Sequence, residues 1–178
     1  VIASWVKTER LVLRPLHVSD ALEMVRVLAD SSLYEFTGGE PPTMNELVNR
    51  YQQQTTGPAT SGEHWCNWII CEGSRGRAVG FVQATIVGDV ATLAWVVGAD
   101  HQGCGFATEA VGGVCGWLAE NDVRRIEAHI HRRHEASHAV AQRIGMIRTG
   151  ECDDDGEEVW AAEFAGTADQ SVSLPPAR

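Results

Sequence analysis

The stretch Val97-Gly-Ala-Asp-His-Gln-Gly-Cys-Gly-Phe-Ala-Thr-Glu-Ala-Val111 limits the fold more than any other part of the chain. An apolar strand ends there, a glycine-spaced turn follows, and a helix opens at once. Gly103 and Gly105 permit a tight backbone path without Cβ atoms, so consecutive N–H groups can turn into one small volume. The unpaired N–H groups and dipole of the following helix add positive potential, which makes a phosphate or pyrophosphate the natural guest.

The elements around this turn set its context. Thr8 to Arg14 alternates as a strand stopped by Pro15, and Ser19 is the expected N-cap of a helix reaching Ala29. Thr43 and Glu46 form a capping box for a second helix, and Ser31 to Pro42 between the helices makes a wall with Tyr34 and Phe36. Trp65–Cys71, Ala78–Val87 and Val90–Gly98 read as an antiparallel meander, separated by Gly73–Gly76 and Gly88-Asp89. Ala107, Ala110, Val111, Val114, Cys115 and Leu118 form the stripe of the helix after the glycine turn. Gly112, Gly113 and Gly116 inside it each cost about 1 kcal/mol relative to alanine, so packing must hold it. Arg125–His131 is a strand with one polar face. Glu135–Ile144 is a helix with Ala136, Val140 and Ile144 inward and Gly145 as its stop. Met146–Thr149 and Val159–Phe164 close the sheet around the acidic Asp153–Glu158 segment, read as a solvated turn. This order predicts an α+β domain with a mixed sheet over residues 1–165 and a disordered polar tail over 166–178.

Length and charge narrow the function. A chain of 178 residues, 44% apolar and 21% charged, suits one globular core, and its net charge of −10 argues against a nucleic-acid partner and mildly for a cationic one. The five cysteines lack a repeated spacing, so no disulfide framework is expected. Cys66 and Cys71, five apart on one strand, fall on opposite faces. With no membrane-length apolar run and no secretory pattern, a cytoplasmic protein without a membrane partner is expected. A Walker A loop is excluded because no Gly-Lys-Ser/Thr occurs. The dinucleotide fingerprint is opposed by Thr108 at its third small position, by the preceding meander and by the short remaining chain.

Together with this element order, Gln102-Gly-Cys-Gly-Phe-Ala107 resembles the Gcn5-related N-acetyltransferase (GNAT) superfamily, whose acetyl-CoA signature is Gln/Arg-x-x-Gly-x-Gly/Ala. Thr8-Glu-Arg-Leu-Val-Leu-Arg-Pro-Leu16, Ala94-Trp-Val-Val97, Phe106-Ala-Thr-Glu-Ala110, and Ala136-Ser-x-x-Val140 with Gly145-Met146 are similar to segments of its ribosomal-protein N-terminal alanine and serine acetyltransferases. That branch usually has asparagine where this chain has His134, Gly-Phe at Gly145-Met146, and often an acidic residue at Thr92.

The resemblance implies a mixed, mostly antiparallel sheet of six to seven strands flanked by about four helices. It also implies an acetyl-CoA-dependent N-acetyltransferase, monomer or homodimer, that uses no metal and acts on a protein N-terminus or a small amine. Backbone groups of Val96, Val97 and Gly98 would meet the pantetheine arm, Gln102, Gly103, Cys104, Gly105, Phe106, Ala107 and Thr108 the pyrophosphate, and His134 the cofactor near its thiol. Ser137 would protonate the departing thiolate. No single general base stands out among Glu35, His64, Glu127 and His131. Two alternatives are a non-catalytic acetyl-CoA sensor and a metal protein built on His129, His131 and His134.

Overall fold

The computed structural model describes residues 1–73 and 76–164, and the expectation of a disordered tail lies outside them. Strands β1 (Val6–Lys7) and β2 (Leu11–Pro15) precede helices α1 (Ala21–Val27) and α2 (Met44–Thr56). The meander follows as β3 (Glu63–Glu72), β4 (Ala78–Val87) and β5 (Val90–Val97). Next come α3 (Phe106–Glu120), β6 (Arg125–Ile130), α4 (Glu135–Arg143), β7 (Ile147–Cys152) and β8 (Glu158–Glu163). All eight strands join one sheet in the order β1-β2-β3-β4-β5-β6-β8-β7. Every pairing is antiparallel except that of β5 with β6. No helix among the described residues is long and apolar enough to cross a membrane.

The eighth strand is the two-residue β1, too short to show an alternation, and it pairs Val6 with Leu13 and Lys7 with Val12. The first long strand therefore starts at Leu11. Thr8 to Arg10 forms a turn closed by the Thr8 N–H to Leu11 carbonyl bond at 3.0 Å.

Strand alternation divides the core in two. Cys66, Trp68 and Ile70 point toward the face that packs Val111, Val114 and Leu118 of α3. Ile69 and Cys71 join Met24 of α1 and Leu47 and Tyr51 of α2 on the other face, so the two strand cysteines do lie on opposite sides. The capping box of α2 is present: Thr43 N–H donates to Glu46 at 2.8 Å and Glu46 N–H to Thr43 Oγ1 at 3.3 Å. Ser19 does not cap α1. A short 3₁₀ turn, Val18–Asp20, leads into the helix, and buried Asp20 accepts the His17 N–H at 2.8 Å and pairs with Arg14 at 2.7 Å.

Of the three glycines inside α3, one has a packing reason. A Cβ on Gly113 would come within 2.8 Å of Thr8 and 3.1 Å of Val6, so its absence lets the helix lie against the N-terminal turn. The inward stripe of α4 differs from the expected one: Ala136 is exposed, and burial falls on His138, Val140 and Ala141. Its first turn borders an open cleft, and contact with the sheet begins where His138 stacks on Trp160 at 5.2 Å.

Candidate active site

β5 and β6 pair only over Val90–Thr92 with Arg125–Glu127. Beyond those positions the strands separate, and a cleft of about 1160 Å³ opens between them. Gly98 N–H donates back to Val79 of β4 at 2.8 Å. With Val96 opposite Phe81 and Val97 opposite Gly80, the antiparallel ladder turns the backbone groups of Val96 and Gly98 toward β4 and those of Trp95 and Val97 toward the opening. Of the three backbone positions expected to meet a pantetheine arm, only Val97 presents a free ladder N–H to the cleft. Val96 is committed to β4, and Gly98 does not line the cleft at all. Gln102 Nε2 donates to the Val97 carbonyl at 3.1 Å, so this side chain ties the loop to the strand end.

The glycine loop closes one end. Gly103 and Gly105 have φ of +75° and +79°, the left-handed region that side-chain-bearing residues avoid. Gly105 is the N-cap of α3, and the first bond into the helix runs from Glu109 N–H to the Gly105 carbonyl at 3.1 Å. The N–H groups of Phe106, Ala107 and Thr108 consequently have no helical acceptor and face the cleft mouth, as an anion site requires. All seven expected residues from Gln102 to Thr108 line the cleft.

Arg10 holds this loop from the far end of the chain. Its Nε donates to Glu109 Oε2 at 2.7 Å, its backbone N–H to Oε1 at 2.7 Å, and its Nη1 to the Cys104 carbonyl at 3.0 Å. The guanidinium lies 4.9 Å from the Phe106 ring centre, and Thr8 Oγ1 adds a 2.6 Å bond to Glu109. Burial raises the Glu109 pKa, but the bonds from Thr8 and Arg10 outweigh it and leave the carboxyl below its usual value of 4.5. A depressed carboxyl stabilises the fold above its unfolded pKa and loses that contribution as pH falls through the folded one. Replacing Glu109 by Gln should therefore cost about 1–3 kcal/mol at pH 7, and the deficit should shrink below pH 4.5. Urea unfolding at both pH values checks it, and a deficit independent of pH would mean that the carboxylate's charge is not what holds the loop.

The opposite wall is the start of α4. His134 and Ser137 both line the cleft, and the His134 ring stacks on Phe36 at 4.6 Å. Burial, with help from His138 and His131 and against Glu35, holds the His134 pKa below its ordinary value, so the imidazole is neutral at neutral pH. Its Nδ1 is buried without a partner, which leaves Nε2 as the ring atom that reaches the cleft.

Among the candidate bases, Glu35 and His131 line the cleft and His64 and Glu127 do not. His64 Nδ1 lies 3.3 Å from the Val1 nitrogen, and Glu127 pairs with Arg125 at 2.7 Å. In the His129, His131 and His134 run, His129 Nδ1 is paired with Asp153 at 2.7 Å and the His134 ring stacks on Phe36. Among the described residues no three His, Cys, Asp or Glu side chains converge as a metal site.

Glu157 joins the cleft unexpectedly. The acidic segment is a tight turn in which Asp153 Oδ1 accepts the N–H groups of Asp155 at 3.0 Å and Glu157 at 2.9 Å. This aims half-buried Glu157 into the cleft, where its carboxylate has no partner among the described residues. Burial first, and then Asp153 and Asp155, raise its pKa above 4.5 against the opposing effect of His129 and His131. Arg10, Trp95 and Glu157 thus belong to the site although sequence reasoning did not place them there. Alternation from a fixed Val97 would have found Trp95. Nothing in the run of acids singled out Glu157.

A family model described as an acetyltransferase (GNAT) domain matches residues 10–147. Among solved structures, RimJ of Mycobacterium smegmatis in complex with CoA-disulfide superposes with a TM-score of 0.76 at 20% identity, over 89% of this chain and 87% of that one. A GNAT-family acetyltransferase of Bacillus anthracis gives 0.74 at 20% identity, over 89% and 98%. An aminoglycoside acetyltransferase in complex with coenzyme A gives 0.72 at 18%, over 86% and 94%. At these identities the likeness is one of fold. No curated protein matches the sequence.

Proposed function

The chain belongs to the GNAT acetyltransferase family, and from that premise we propose that it moves the acetyl group of acetyl-CoA to a primary amine by direct transfer in a ternary complex. The observation that carries this reading is the separation of β5 from β6 with the glycine loop at its end. One cleft thereby joins free helix N–H groups, the free Val97 N–H and the side chains of Ser137 and Glu157.

The pyrophosphate sits on the amides of Gly103 to Thr108, with Arg10, His101 and Arg143 on the same lining to balance its charge. The pantetheine arm takes the place of the missing strand beside Trp95 and Val97, and the Val97 N–H polarises the thioester carbonyl. His134 Nε2, on a neutral ring, is a hydrogen-bonding partner for the arm near its sulfur. Glu157 accepts a proton from the amine, whose nitrogen attacks the carbonyl carbon. As the C–S bond breaks, Ser137 Oγ gives a proton to the thiolate and regains one from solvent, and Glu157 releases its proton to solvent. Holding both reactants in one cleft supplies much of the rate.

The cofactor half of this reading has a direct test. Acetyl-CoA at 100 times its dissociation constant should stabilise the protein by about 2.7 kcal/mol. It should also slow alkylation of Cys104 in the loop while leaving the other exposed thiol, Cys152, unprotected. Equal reactivity of both thiols with and without the ligand would remove the loop from the site.

A further inference from the structure

A second cavity, of about 230 Å³, adjoins the cleft and shares its Leu93–Ala94 wall. It lies on the sheet face that α1 and α2 cover elsewhere. Ile69, Cys71, Phe81 and Val96, under those helices, are apolar. Further along the same strands the helices have ended, and the residues on that face become Asn67, Gln83, Thr85 and Thr92. Gln54, in the last turn of α2, and Trp65 complete the rim. No charged side chain among the described residues lines this cavity. Glu63, two residues from Trp65 on β3, is engaged by the Trp65 indole N–H at 2.6 Å.

An uncovered sheet face is ordinarily polar and needs no ligand to explain it. Two features go beyond that. Asn67 is 9% exposed, so it is a buried amide on an otherwise open face. Its Oδ1 accepts from Gln83 Nε2 at 2.9 Å, which fixes both amides and leaves the Asn67 NH₂ and the Gln83 carbonyl free as a donor and acceptor side by side. The cavity also meets the cleft at Leu93 and Ala94, the residues just past the last β5–β6 pair at Thr92.

We propose that this cavity is the specificity subsite for the body of the acceptor, and that it takes an uncharged, multiply hydrogen-bonding group such as an amide or a polyol. The proposal rests on the acetyltransferase reading given above. The paired amides and the Thr85 and Thr92 hydroxyls offer donors and acceptors to such a group, and Trp65 offers it a flat apolar wall. A second ammonium would lose part of its hydration here and meet no carboxylate. The overall charge of −10 draws cations toward the molecule, but this cavity rejects those that carry more than the reacting amine.

The test compares four amines by thiol release from acetyl-CoA: an alanyl dipeptide amide, glucosamine, spermidine and butylamine. The dipeptide amide or glucosamine should exceed both spermidine and butylamine in kcat/KM by at least tenfold, and which of the two leads identifies the amide or the polyol as the source. Asn67→Leu should remove that preference, and Gln83→Glu should move it toward spermidine, with the acetyl-CoA thermal shift kept in both variants. Preference of the wild type for spermidine or butylamine would overturn the subsite, as would an unchanged order in Gln83→Glu. Loss of the thermal shift in the wild type is a different result, and it would overturn the acetyltransferase reading itself.

Discussion

Replacing Gly105 by Glu should abolish the acetyl-CoA-induced rise in melting temperature. Position 105 has φ +79°, and a Cβ there would lie 3.5 Å from Arg10 Nη2. The left-handed backbone alone costs about 1–2 kcal/mol for a residue with a side chain, so the free variant should melt lower. The larger effect is electrostatic. A carboxylate at the N-cap of α3 occupies the field that the free N–H groups of Phe106 to Thr108 offer an anion, and it competes with Glu109 for Arg10. Gly105→Ala separates the two causes, since it carries the backbone strain without the charge and should keep most of the shift. A full shift in Gly105→Glu would place the pyrophosphate somewhere else.

The second large effect concerns proton transfer. Glu157→Gln should lower kcat/KM by about 10²–10⁴-fold and change the shape of the pH profile. A base works deprotonated, and burial, Asp153 and Asp155 raise the Glu157 pKa. The wild-type rate should therefore fall with acid at a pH above 4.5, the ordinary value of such a carboxyl. That limb should vanish in the variant. The ionisation of the amine itself gives a separate limb that both proteins keep. Ser137→Ala should lower kcat with little change in acetyl-CoA affinity, because its hydroxyl meets the leaving sulfur only as the C–S bond breaks. An unchanged acid limb in Glu157→Gln would transfer the role of base to Glu35 or His131, the other candidates that line the cleft.

Much of the cleft was legible in the chain because local rules fixed it. The alternation in Val90–Val97, the glycines at 103 and 105 and the spacing of α3 each depend on neighbours in sequence, and the loop from Gln102 to Thr108 lies where those rules put it. The sheet has one strand more than expected because β1 is held by pairing alone. What stayed hidden depends on partners far along the chain. Arg10 reads as one polar residue of a strand until Glu109, 99 residues later, is seen to take its guanidinium. Ser19 is a good N-cap by type, yet the pair of Arg14 with buried Asp20 goes with a 3₁₀ turn at the start of α1. Ala136 faces outward because the helix begins over a cleft, which its own spacing does not reveal. The backbone groups of Val96 and Gly98 are turned toward β4 because the ladder claims every second residue of β5, although Val96 still lines the cleft.

The short parallel contact between β5 and β6 also has a mechanical meaning. Five strands stand on one side of it and three on the other, joined within the sheet by register pairs at only three positions. On the proposed binding mode, the pantetheine arm would lie between the two parts and stand in for a missing structural member. On that mode the binding energy of the cosubstrate would appear as shared rigidity of strands β6 to β8 and the five-strand part.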